Sequence, residues 1–155
     1  MPQTEQVYLS IMKYIALLLA SAAAQPALAW QASVETGICI LSHGETSVDV
    51  ELSFDPTLPL YSITITRRDP WPAGGVFAMR FEGMQPIFIQ TNRQSLSDGG
   101  RSLTVTDSGF GNVLDGLQFN ETAEAILGDS VAEFTLEGAA PEVAAFRACT
   151  SAQTA

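Results

Sequence analysis

Apolar and polar residues alternate one by one along much of this chain. In "VDVELSF", Val48, Val50, Leu52 and Phe54 are separated by Asp49, Glu51 and Ser53. In "YSITITR", Tyr61, Ile63 and Ile65 alternate with Ser62, Thr64 and Thr66, and in "VFAMRFE" Phe77, Met79 and Phe81 alternate with Ala78, Arg80 and Glu82. A period of two sends successive side chains to opposite faces of a strand, so each stretch predicts a strand with one buried and one wet face. "GICIL" (37–41), "PIFIQ" (86–90), "SLTVT" (102–106) and "VAEFTL" (131–136) are further strand candidates. "SDGG" at 97–100 stands between two of these runs and predicts a hairpin, because Asp-Gly tolerates the positive φ of a tight turn. "DPTLP" and "DPWPAGG" punctuate other junctions.

Helical signals are sparse. "NETAEAILG" (120–128) predicts two turns, with Asn120 as N-cap, Glu121 and Glu124 near the helix start and Gly128 as the stop. "APEVAAFRACT" (140–150) is the stronger helix, with Pro141 suited to the first helical position and Glu142 to the N-terminal dipole. Val143, Phe146 and Cys149 then share one side of it. "SGFGNVLDGLQF" (108–119) reads equally as glycine-marked bulges or as a short helix over 113–117. The pattern as a whole predicts a mainly β fold: an antiparallel sandwich or partly open barrel of about seven or eight strands with a C-terminal helix.

The N-terminus departs from this pattern. From Met12 to Trp30 the chain reads "MKYIALLLASAAAQPALAW": a base at Lys13, an apolar run from Ile15 to Ala24, and Ala27-Leu28-Ala29 as a small-x-small cleavage site. That is the layout of a secretory signal, with Met12 the expected initiator, residues 1–29 removed and residues 30–155 forming one globular domain. The apolar run falls short of the ~20 residues that span a bilayer, so the mature chain is expected to hold no transmembrane segment. Periplasm or secretion is the expected location. There cysteines pair and persist, and the chain has two, Cys39 and Cys149. One intramolecular connectivity is available to two cysteines, tying the last helix to an early strand. A redox pair is the other reading, but the C-x-x-C spacing it favours is absent.

Composition narrows the partners. The 155 residues carry a formal charge of −10. Nucleic acid is excluded as a favourable partner, since a chain this acidic is repelled by phosphate backbones. Charge is unevenly placed: no base separates Arg101 from Arg147, whereas Arg67, Arg68, Arg80, Arg93 and Arg101 crowd the middle. This reads either as an acidic solvated surface or as an arginine-bearing middle that faces an acidic partner.

Catalytic sets are thin. His43 is the one histidine, and it adjoins Ser42, whose side chain leaves an extended backbone on the opposite face. It is expected in a loop near a turn. There is no G-x-S-x-G elbow and no phosphate-binding loop. One histidine and two paired cysteines leave too few ligands for zinc. Asp107, Asn112 and Asp115 offer oxygens but lack the D-x-D-x-D-G spacing of a calcium loop. No catalytic residue, metal or cofactor is therefore assigned. A carboxylate-based hydrolase stays open as an alternative, although no spacing favours a particular pair of acids. The surface candidate is "TRRDPWPAGG" (66–75). Arg67 and Arg68 leave a strand there, and Trp71 sits between two prolines, which suits capture of an envelope or extracellular component. The other reading of Trp71 is as a plug in one end of the sandwich.

Three stretches, "PLYSITITRRDPWPAGGVFAMRFEG", "LTVTDSGFGNVLDGLQFN" and "GAAPEVAAFRACT", resemble a group of small exported alphaproteobacterial proteins. Some of that group carry a name borrowed from the nucleotide-excision-repair excinuclease, which a signal segment and a missing phosphate loop do not support. The layout is also similar to that of invasion-associated locus B proteins, small, exported and β-rich. Neither resemblance implies an activity or a site residue. The expectation is an exported, non-enzymatic interaction module stapled by one disulfide, the alternatives being the hydrolase and a structural or invasion-associated envelope protein.

Overall fold

The computed structural model describes residues 29–154, so the candidate export signal lies, but for Ala29, outside the described residues. Ten strands and two helices follow in the order β1 (Gln31–Glu35), β2 (Ile38–Gly44), β3 (Val48–Asp55), β4 (Leu60–Arg67), β5 (Phe77–Gly83), β6 (Ile87–Thr91), β7 (Ser95–Ser97), β8 (Ser102–Asp107), α1 (Gly111–Phe119), β9 (Asn120–Leu127), β10 (Ser130–Thr135) and α2 (Ala139–Gln153). Two antiparallel sheets result, one of six strands in the order β1-β2-β3-β4-β8-β7 and one of four in the order β10-β9-β5-β6. The protein is mainly β and sandwich-like, with no closed barrel. Apolar side chains of both sheets meet in one core, from Leu41, Leu52 and Ile63 on the larger sheet to Met79, Phe81 and Phe134 on the smaller.

The alternating runs fold as their period requires. Val48, Val50, Leu52 and Phe54 of β3 are buried, and β4 pairs with β3 so that Ile63 stands beside Leu52. The outward face of the larger sheet is laced by hydroxyls, with Ser53 on Ser62 at 2.7 Å and Thr64 on Thr104 at 2.8 Å. β1 turns into β2 through Thr36 and Gly37, at φ 47° and 83°. This is the left-handed pair that a two-residue hairpin needs to match the strand twist. The loop at 97–100 likewise joins β7 to β8, which pair antiparallel from Ser97 on Ser102.

Ten strands stand where the alternation predicts seven or eight; β1, β7 and β9 are the additional ones. The "NETAEAILG" helix is overturned: those residues are β9, an interior strand that pairs with β5 on one side and β10 on the other. Ala123, Ala125 and Leu127 face the core, Glu124 lies on the opposite side, and Glu121 is exposed at the start of the strand. Alanine and glutamate favour helix when nothing else decides, but two ladders of sheet hydrogen bonds override that preference. Asn120 caps what precedes it instead. Its Nδ2 donates to the Gly116 carbonyl at 3.0 Å and to the Gln85 carbonyl at 2.8 Å, while its Oδ1 accepts from the Gln85 amide at 3.0 Å. Of the two readings of residues 108–119, the helix is realised, longer than 113–117.

α2 is the expected C-terminal helix, starting at Ala139, so Pro141 is its third residue rather than its first. The position is harmless because the first turn's amides have no helical acceptor to lose. Ala139, Val143, Phe146 and Thr150 face inward. The Cys39–Cys149 disulfide ties α2 to β2 across 110 residues of sequence. Glu142 Oε2 accepts the Ala32 amide at 2.8 Å, so α2 also satisfies a backbone group of the edge strand β1. Arg147 pairs with Asp115, joining α2 to α1. Gly116 fixes how closely α1 lies on the smaller sheet: a Cβ there would come within 2.4 Å of the Phe81 ring. No helix among the described residues is long and apolar enough to cross a membrane.

Candidate ligand cleft

In the turn singled out from the sequence, it is Trp71 that is packed. Trp71 is 3% exposed, its Nε1 donates to the Ile65 carbonyl at 3.1 Å and its ring meets Phe77 edge-on. Of the two readings of Trp71, the plug is the one realised. Arg67 is half-buried with its guanidinium 4.5 Å above the Trp71 ring, and Arg68 is exposed. Most other arginines are matched to acids: Arg80 to Glu124, Arg93 to Asp107, Arg101 to Asp98 and Arg147 to Asp115. Arg80 and Arg93 of the basic middle thus pair with acids of the acidic C-terminal part, while Arg101 is matched within the middle.

His43 is not in a loop. It lies on β2, 7% exposed, stacked on Trp30 at 4.6 Å between ring centroids. Its Nε2 is 2.9 Å from Glu45 Oε1, an oxygen that also accepts the Thr135 amide at 2.8 Å. Trp30 Nε1 donates to the Thr135 carbonyl at 3.0 Å. This cluster closes one margin of the sandwich by joining the start of the larger sheet to the end of β10.

The opposite margin is open. A cleft of about 420 Å³ enters between the sheets there. Ile63 of β4 and Val105 of β8, neighbours across the ladder, form one wall. Phe77 and Met79 of β5 with Ile89 of β6 form the other. The segment from Gly109 to Val113, which enters α1, roofs it with Phe110 and Val113. Side chains added at Gly109 or Gly111 would meet nothing within 4 Å, so the glycines leave the roof thin.

Polar groups gather at the mouth. Arg93, just beyond β6 on the smaller sheet, pairs with Asp107 at the end of β8 on the larger one. The pair spans the gap between the sheets. Arg93 is held by its own amide, which donates to Thr91 Oγ1 at 3.2 Å, and by the next residue, Gln94, whose Nε2 donates to the Gly75 carbonyl at 2.9 Å. Asp107 Oδ1 accepts the Ser108 amide at 2.7 Å. The hydrogen bond from Arg93, then that from the Ser108 amide, holds the Asp107 carboxyl below its ordinary range. Phe110 precedes α1 and supplies no side-chain cap, so the first amides of that helix carry no cap at the cleft roof.

Asp107 and Asp115, which offer oxygens for calcium in the sequence, are each taken by an arginine. No cluster of three His, Cys, Asp or Glu side chains is placed to hold a metal among the described residues. Paired-carboxylate sugar hydrolysis needs two facing acids, and Asp107 is the one carboxylate among the residues lining this cleft. Comparison with protein-family models, with curated proteins and with solved structures returns no match.

The cleft has little signature in the sequence. Its walls come from four strands on two different sheets, and each of them reads simply as core. The available signal is local: a glycine-marked passage from a strand end, Asp107, into an uncapped helix at Gly111.

Proposed function

We propose that this chain is an exported, disulfide-stapled binding domain that holds a small, mainly apolar molecule between its two sheets. The observation that carries the reading is the cleft itself. Its walls are mainly apolar, with Ile63, Phe77, Met79, Val105 and Phe110 drawn from the core, and the Arg93–Asp107 pair is exposed beside them. That combination, in the volume range of about 300–1,000 Å³, is how small-molecule sites are generally built. Export is supported by the signal-like layout of residues 12–29 and by the Cys39–Cys149 bond. Capture of an envelope partner by the Arg67–Gly75 turn is the weaker reading, because the Trp71 ring faces the core.

The test is binding of the neutral fluorescent probe N-phenyl-1-naphthylamine to the oxidised protein, compared with a Val113→Trp variant. Val113 is half-buried on the roof, so the larger ring fills the cleft without displacing the inner core. Saturable fluorescence in the wild type that disappears in V113W is expected. Equal fluorescence in a folded V113W would rule the cleft out as the binding site.

A further inference from the structure

The cleft is lined mainly by apolar side chains and carries one exposed ion pair, Arg93 with Asp107, so a molecule that uses both has an apolar body and one polar end. We propose that its ligand is a medium-chain carboxylate, with the acyl chain between the sheets and the head group taken by Arg93 in exchange for Asp107. The proposal deepens the binding reading above and rests on it.

Size comes first. At about 420 Å³ the cleft sits toward the small end of ligand-site volumes, which suits a chain of medium length such as decanoate better than a long-chain lipid. Charge comes second. The Arg93 guanidinium is a planar fork of donors matched to a carboxylate, and within the protein it hydrogen-bonds to Asp107. Arg93 is 61% exposed and Asp107 35% exposed in their side chains, so water weakens their pair and a competing carboxylate can replace it. Asp107 keeps the Ser108 amide as a partner when Arg93 leaves it, and its exposed side lets it turn to solvent. Position comes third. The uncapped first turn of α1 brings amide donors and the positive end of the helix dipole to the same mouth. Gly109 and Gly111 have no side chain to stand between those amides and a head group. A cationic head would face Arg93 and the helix start together, and an uncharged one would gain little from either.

Isothermal titration of the oxidised protein with decanoate and decylamine, each below its micelle concentration, and with decan-1-ol, below its solubility limit, tests this. Decanoate is expected to bind about tenfold tighter than decan-1-ol, the size of a charge-assisted hydrogen bond to a fixed donor. Arg93→Gln should erase that ratio and leave decan-1-ol unchanged. Asp107→Asn should tighten decanoate alone, because the competitor for Arg93 is gone. Both side chains are substantially exposed, and circular dichroism checks that each variant is folded. Decylamine or decan-1-ol binding as tightly as decanoate, or a ratio untouched by R93Q, overturns the carboxylate assignment while leaving the cleft as a site. Failure of all three ligands and of the naphthylamine probe to bind a folded protein overturns the cleft reading, and this proposal with it.

Discussion

The two margins of the sandwich solve the same problem in opposite ways. At the margin closed by Trp30, the gap between sheets is filled by an indole stacked on His43 and tilted against Phe134. Hydrogen bonds also cross the gap there: Trp30 donates to the Thr135 carbonyl in a part-buried bond, and the Thr135 amide donates to Glu45 at the surface. At the other margin, glycines and Val113 stand where rings could have stood, and the crossing contact is an exposed ion pair, Arg93 with Asp107. A contact sheltered from water and packed on both sides holds a fold together. An ion pair in water contributes little and exchanges readily. The first margin is closed by packing, and the second is left open.

The staple bears on both. α2 carries Cys149, packs beside β1 and β2, and holds α1 through Arg147 and Asp115. Replacing both cysteines by serine is expected to lower unfolding free energy by about 4–5 kcal/mol, the chain-entropy value for a loop of about a hundred residues. Urea melts would measure it. Loss of naphthylamine binding at temperatures where the variant is still folded would show that α2 steadies the cleft roof. Unchanged binding would make the open margin independent of the staple.

Trp30→Ala removes the seal of the closed margin and should cost about 3–5 kcal/mol, as large-to-small changes of buried aromatics do. Arg93→Gln, its counterpart at the open margin, should stay within about 0.5 kcal/mol of wild type in the same melts. Equal costs at the two sites would remove the distinction between the margins. Gly116→Ala acts on the roof alone. Its Cβ would fall 2.4 Å from the Phe81 ring, so α1 must lift from β5. A loss of about 1–3 kcal/mol is expected, together with weakened probe binding.

How far these margins are legible in the sequence follows from what makes them. The walls are legible: Ile63, Val105, Phe77 and Met79 alternate with their neighbours, which marks a buried face. The disulfide is legible because two cysteines leave one pairing. β9 is not, since its inward residues are largely alanines and its glutamates carry helix preference, while its partner β5 lies some forty residues earlier in the chain. Trp71 is legible as one of two alternatives, and the choice between them depends on the Ile65 carbonyl waiting for its N–H. The cleft is illegible because a gap leaves no residue of its own. Arg93 and Asp107 look like any surface charges until the sheets bring them together.

The smallest effect expected is the pH dependence of that ion pair. The Asp107 carboxyl is held below its ordinary range by the Arg93 hydrogen bond and the Ser108 amide. A depressed carboxyl contributes stability that is complete above the ordinary carboxylate pKa and is lost as pH falls through its lowered folded value. The contribution is therefore constant between about pH 5 and 8 and disappears only below about pH 4. Melting temperatures of wild type and Asp107→Asn should run parallel across the neutral range, offset by little because both partners are bathed in water. Below that range the two curves should converge, as protonation removes from the wild type what the substitution has already removed. Curves that converge instead near neutrality would mean that a different group governs the open margin, and would reverse the reading of Asp107 as an ionised partner that Arg93 can give up.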